Sequence, residues 1–162
     1  MQARSAEPGN PANRLTSVTA LADASELCKQ RHVQLTARRK ALLQILWEQP
    51  HRPQGAYPLM RRLETVTGRQ VTATSVYRAL EFLLDEGLAM RVESRNAYLP
   101  CPHPGTPSSG AFFLCDLCGM AMGVNDPVLE RALARRARSI GFRILRRVIE
   151  FQGLCERCAK TG

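Results

Sequence analysis

The chain has 162 residues, a formal charge of +9 from 23 basic against 14 acidic side chains, and six cysteines. That length allows one domain or two small ones, and with no run of 18 apolar residues nothing in it reads as a membrane span. The charge is spread along the chain: 14 basic against 9 acidic residues up to Pro100 (+5), and 9 against 5 after it (+4). A basic protein of this size points toward nucleic acid, although solvated basic faces are common.

Residues 1–14 are polar and rich in Pro, Asn and Ala, with no apolar h-region. They read as a disordered tail before a domain at 15–99, not as a signal peptide. Without an export signal, the thiols are expected to stay reduced in a cytoplasm.

The first helix is predicted over 17–31, with Val18, Leu21, Ala22, Ser25 and Cys28 on its apolar face. Thr36 is an N-cap candidate for a second over 37–48, which buries Leu42, Leu43, Leu46 and Trp47 before Pro50 stops it. A third spans about 56–67, with Leu59, Met60, Leu63 and Val66 inward and Gly68 closing its end. A fourth, about 74–86, buries Val76, Leu80, Leu83 and Leu84 and stops at Gly87. The short link 68–72 between the last two has helix-turn-helix spacing. Extended pieces at 88–93 and 97–99 around a Ser94–Asn96 turn form a hairpin, or wing.

Residues 100–110 hold four prolines, two glycines and two serines and read as a hinge. Beyond it, 111–114 is a short strand leading to Cys115. Asp126 N-caps a helix with Pro127 at its first position, with Leu129, Leu133, Ala137 and Ile140 inward and Gly141 at its end. A strand over 142–151 then delivers Cys155. Strand, helix and strand make a compact α/β unit over 111–162.

Two Cys-x-x-Cys pairs, Cys115/Cys118 and Cys155/Cys158, bound 36 intervening residues. Each pair grips half of a tetrahedral ion, so together they make a closed four-thiolate site that suits structural Zn²⁺. Paired disulfides or a redox dithiol are the competing readings. A redox motif would open a helix in a βαβ pattern, and neither pair does. Cys28, on an apolar helix face, reads as a buried inert thiol. Cys101 and His103 form a Cys-x-His pair that reads as half of a second metal site or as an ordinary hinge cysteine beside a solvated histidine.

With the fourth helix's apolar face committed to a core, Thr74, Ser75 and Arg78 fall on the opposite face and Tyr77 lies between the two. That end of a recognition helix reaches base edges, where arginine takes guanine bidentately and hydroxyls reach bases or phosphates. Arg38, Arg39 and Lys40 open the second helix and suit backbone phosphates. A helical bundle with a solvated polar face is the plainer alternative. Catalysis has little support: His32, His51 and His103 are scattered, and a four-cysteine cage leaves no open metal position. The arginines at 131, 135, 136 and 138 read as a solvated face.

The segments Cys28–Arg39, Thr72–Leu80, Phe113–Gly119 and Ile149–Cys158 resemble the ferric uptake regulator superfamily. Glu81–Gly87 and Val92–Cys101 are most similar to its zinc uptake regulator branch. The resemblance covers nearly all of 25–159. It implies an α+β chain: an N-terminal winged helix-turn-helix domain plus a small α/β dimerisation domain with a four-cysteine zinc site. It further implies a metal-loaded homodimer that represses zinc-uptake genes from a pseudo-palindromic double-stranded operator, with no membrane partner and no small-molecule substrate. Cys115, Cys118, Cys155 and Cys158 match the family's structural zinc, Tyr77 and Arg78 its base-reading positions, and Cys101 a thiolate of the regulatory zinc.

This chain also departs from that branch. Met90 stands at a ligand histidine of the wing, Ser108-Ser109 at a second histidine, and Val124 near a ligand glutamate. A regulatory site then takes His103 for the linker histidine and Asp126 for the carboxylate. Rival readings are a zinc-stabilised nucleic-acid-binding module that does not sense metal, a family member sensing another metal, and, more remotely, a thiol oxidoreductase.

Overall fold

The computed structural model describes residues 11–105, 111–124, 126–145 and 147–161, with side chains from residue 18 onward. Among these residues, six α-helices and two three-stranded sheets fall into two parts.

The first part is built on α1 (Pro11–Gln30), α2 (Ala37–Glu48), α3 (Ala56–Thr67) and α4 (Ala73–Asp85). Local chemistry sets their ends. Thr36 caps α2 by accepting the N–H of Arg39, and Thr72 caps α4 by accepting that of Ser75. Gly68 ends α3 at φ +64°, a left-handed conformation that costs glycine little. Leu42, Leu43, Ile45, Leu46, Leu59, Leu63, Val76, Leu80 and Leu83 form the core, sealed by Leu88, Ala89 and Tyr98 from the wing. The wing is β2 (Ala89–Val92), a 3₁₀ turn (Glu93–Arg95) and β3 (Ala97–Pro100). The two-residue β1 (Gln54–Gly55) adds to the far side of β3, giving the antiparallel order β1-β3-β2.

The second part holds β4 (Ala111–Cys115), β5 (Ala121–Val124), α5 (Pro127–Ser139), β6 (Glu150–Gly153) and the single turn α6 (Glu156–Ala159). β4 is central, antiparallel to β5 and parallel to β6. Asp126 caps α5 through Oδ1, which accepts the N–H groups of Val128 and Leu129.

Several expectations need correction. The backbone is helical from Pro11, so α1 takes in part of the expected tail; residues 1–10 lie outside the described residues. Its buried stripe is Ala20, Ala24 and Cys28, while Val18 and Ala22 are exposed, because small residues let α1 lie close on α2. Val66 is also exposed. The long strand expected over 142–151 is confined to Glu150–Gly153: only there does β4 offer a paired edge. On α5 only Ala137 is buried, while Leu133 and Ile140 are exposed. The hinge begins attached to the first part, with Cys101 N–H on the Leu88 carbonyl at 2.9 Å and Gly105 N–H on that of Gly87 at 3.4 Å. Residues 106–110, including Ser108 and Ser109, lie outside the described residues.

Candidate metal centre and nucleic-acid interface

The four expected thiols converge. Cys115 ends β4, Cys118 follows on its turn, Cys155 caps α6 and Cys158 lies within it, so the parallel β4–β6 pairing brings both motifs to one end of the sheet. Their sulfur atoms all lie within 4.8 Å of one another, and Cys118 and Cys155 are 3.8 Å apart. A zinc tetrahedron with Zn–S near 2.3 Å has edges of about 3.8 Å. All six cysteines are free thiols, so the disulfide reading fails.

The cage is electrostatically graded. Backbone N–H groups of Cys118 and then Cys155 pull the Cys115 thiol down to about 6, and the latter bond spans 3.4 Å. The Met120 N–H lowers Cys118. Cys158 is pushed up to about 12, first by its hydrogen bond with Cys155 and then by burial. Thiolate is thus built in on the β4 side, while a proton is held on the α6 side. A divalent ion replaces that proton and cancels the repulsion among converging thiolates. The soft, closed donor set fits structural zinc.

Cys101 is buried, and its Sγ donates to the main-chain carbonyl of His103 at 3.3 Å, while the His103 side chain faces solvent. Neither belongs to a group of three or more potential ligands among the described residues; the four-cysteine cluster is the one such group there. Met90 and Leu99 are register partners in the wing, and Asp126 has one carboxylate oxygen engaged in capping α5.

The face of α4 expected to meet DNA is open. Thr74, Tyr77 and Arg78 are exposed and Ser75 is half-buried, its hydroxyl donating to the Thr72 carbonyl at 2.8 Å. Arg38 and Lys40, at the start of α2, are exposed. Arg39 differs: its guanidinium stacks 3.6 Å from the Phe82 centroid and donates to the Gln34 carbonyl at 2.6 Å. Sequence periodicity gave no sign of this brace, because the contact joins α2 to α4.

An uncovered apolar row crosses the second sheet. Met122, Phe113 and Phe151 are register neighbours on β5, β4 and β6, each about half exposed, with the two rings stacked at 5.0 Å. Phe142, Leu145 and Leu154 are exposed in the same part. An exposed apolar row of this kind suits an interface.

A winged helix joined to a tetrathiolate α/β domain defines a class of metal-dependent regulator. No protein-family model matches the chain. The zinc uptake regulation protein of Escherichia coli (strain K12) is 34% identical over 149 residues, 91% of this chain and 86% of that protein. A zinc uptake regulator solved with zinc and DNA superposes with a TM-score of 0.83 at 34% identity, covering 90% of this chain and 97% of that one. The holo form of XcZur, 30% identical, gives 0.75 over 91% of this chain and 99% of that one; its apo form gives 0.50 over 89% and 98%. The chain therefore belongs to the zinc uptake regulator branch of the ferric uptake regulator superfamily.

Proposed function

We propose that the protein is a zinc-responsive transcriptional repressor of zinc-uptake genes, acting in the cytoplasm as a metal-loaded homodimer. The observation that carries this reading is the open N-terminal face of α4, with Thr74, Ser75, Tyr77 and Arg78, in a domain whose wing is packed against the four-cysteine domain. Arg78 reads a base edge, Tyr77 packs on a base or bonds a phosphate, and the α2 arginines neutralise backbone charge. Two copies joined through the Met122–Phe113–Phe151 row place two such helices on successive major grooves of a pseudo-palindromic operator.

The structural zinc is held by Cys115, Cys118, Cys155 and Cys158 and shapes the dimerising domain. A second, regulatory zinc uses Cys101 and His103 at the hinge. It acts by binding the DNA-competent arrangement better than the others, since equal affinity for both would shift nothing. The similarity to the holo form of XcZur over its apo form supports a metal-loaded arrangement of the two parts.

Duplex binding titrated against free zinc tests this reading, with the duplex selected from a random library by the zinc-loaded protein. Affinity should rise with zinc after the thiolate site is already full. Binding that ignores zinc above one ion per chain overturns the sensing role and leaves a zinc-stabilised DNA-binding module. That second reading is favoured by one observation, the Cys101 thiol donating to the His103 main-chain carbonyl.

A further inference from the structure

The wing touches the thiolate domain through two sets of polar contacts that neither the metal cage nor the recognition helix explains. The 3₁₀ turn Glu93–Arg95 at the wing tip has no side-chain cap of its own. Its first two amides are instead satisfied from β6: Glu93 N–H donates to Glu150 Oε1 at 2.7 Å and Ser94 N–H to Oε2 at 3.2 Å. A carboxylate facing two N–H groups at the start of a helical turn is well placed electrostatically.

Arg95, the last residue of that turn, reaches the other way. Its Nη1 donates to the Gly119 carbonyl at 2.8 Å and its Nη2 to the Cys115 carbonyl at 3.1 Å, with the Asp116 carboxylate 3.6 Å away. Cys115 and Gly119 bracket the first Cys-x-x-Cys loop, and the Cys115 carbonyl also accepts the Gly119 N–H that curls it. Gly119 sits at φ +75°, which a side chain would resist. The two carbonyls therefore face one guanidinium only while the loop keeps the curl that aims both of its thiolates inward.

The wing and the second sheet also share a small buried apolar cluster, Val92 and Leu99 with Leu114 and Ala121. The Ala121 N–H also donates to the His51 carbonyl at 2.8 Å. The wing in turn shares its core with α4 through Leu88, Ala89 and Tyr98. Whatever fixes the wing fixes the recognition helix.

We propose that Arg95 and Glu150 form a latch that seats the wing on the first zinc knuckle, making the thiolate zinc set the direction of α4 as well as the fold of its own domain. Both are positioning residues: Glu150 holds the tip of the wing, and Arg95 registers the curl of the metal loop. The latch itself stands on these contacts, and its effect on DNA rests on the regulator reading above.

The test uses the full-length, zinc-loaded protein and the variants Arg95→Ala, Arg95→Lys and Glu150→Gln. Bound zinc and dimer mass are measured first, and both should match wild type. Hydrogen exchange at the Glu93 and Ser94 amides should quicken in Glu150→Gln. Distances between labels at Thr65 on α3 and Arg135 on α5, with unlabelled chain in excess, should broaden in Arg95→Ala and partly recover in Arg95→Lys. Affinity for the library-selected duplex should fall about tenfold if the competent arrangement drops to a tenth of the population, with base preference retained. Wild-type exchange and distances in the variants would overturn the latch. So would variants that lose thiolate zinc while keeping wild-type distances, since Arg95 would then support the metal loop alone. The exchange and distance measurements need no DNA, so a wild-type protein that selected no duplex would defeat the regulator reading and leave the latch tested.

Discussion

The guanidinium of Arg39 sits over the Phe82 ring, 3.6 Å from its centroid, and ties the start of α2 to the C-terminal half of α4. Arg39 is thus a structural brace, whatever phosphate its remaining N–H groups meet. Arg39→Ala should lower the unfolding free energy of the winged-helix part by roughly 1 kcal/mol through the lost cation–π contact, and more with the Gln34 bond gone. Arg38→Ala, on an exposed side chain, should leave stability unchanged and reduce the salt dependence of duplex binding by about one unit of slope. Thermal melts and salt titrations of both variants separate the roles. Equal melting temperatures would show that the Arg39 stack contributes nothing.

Arg78 has no structural duty of that kind. It is exposed on the α4 face opposite Val76, Leu80 and Leu83. Arg78→Ala should therefore leave the melt unchanged and relax base preference at one operator position, costing about 1–3 kcal/mol there. Selection from a random library by wild type and variant reads this directly. A uniform loss across all sequences would make Arg78 a phosphate contact.

The helices were legible because capping and periodicity act locally. Thr36, Gly68 and Asp126 mark their ends in the sequence, and the structure uses each of them there. The cysteine spacing was legible for a different reason, since four thiols in two close pairs satisfy one tetrahedron and little else. What escaped was non-local. The two-residue β1 owes its existence to β3, a partner far along the chain, and Gln54–Gly55 has no strand pattern of its own. The inward face assigned to α5 failed because a single chain has too little core there to cover Leu133 and Ile140. Arg95 and Glu150 look like ordinary surface charges until the wing meets the second sheet.

The stacked pair Phe113–Phe151, with Met122 beside it, leaves a half-exposed apolar strip on a sheet whose other face holds Leu114 against the wing. Phe113→Glu should turn a dimer into a monomer by placing charge where two aromatic rows meet. Zinc at the four cysteines should remain, because Phe113 is not among the convergent ligands. Sedimentation of the zinc-loaded variant decides it, and an unchanged dimer mass would move the interface elsewhere on this part.

Removing the thiolate zinc should unfold the molecule in pieces. The large core of Leu42, Leu46, Leu59, Leu63, Leu80 and Leu83 draws wholly on the first part of the chain, whereas among the described residues the second part contributes only Leu114 and Ala121 to a buried cluster. A domain with so small a core depends on its metal. Cys115→Ser, or a strong chelator, should abolish the dimer while most of the helical signal survives. Brief proteolysis of the stripped protein should then yield a resistant fragment ending in the 101–110 segment. Loss of all helix in one transition would mean that the two parts fold as a unit.

Zinc affinity should rise with pH less steeply than one proton for each of the four thiols. Every thiol that is protonated in the metal-free protein must lose a proton to bind, so the slope of log affinity against pH equals the number of protons displaced. Cys115, drawn down to about 6 by the amides of Cys118 and Cys155, is already a thiolate at about pH 8 and displaces almost none. Cys158, pushed up to about 12 by its bond with Cys155, displaces a full one. As pH falls through about 6, Cys115 takes up its proton and the slope should steepen by nearly one. Competition titrations against a chelator of known proton dependence, run from about pH 5.5 to 8.5, measure it. A constant slope of four across that range would mean that the amides around Cys115 do not favour its ionised form, and that the metal alone creates every thiolate in the cage.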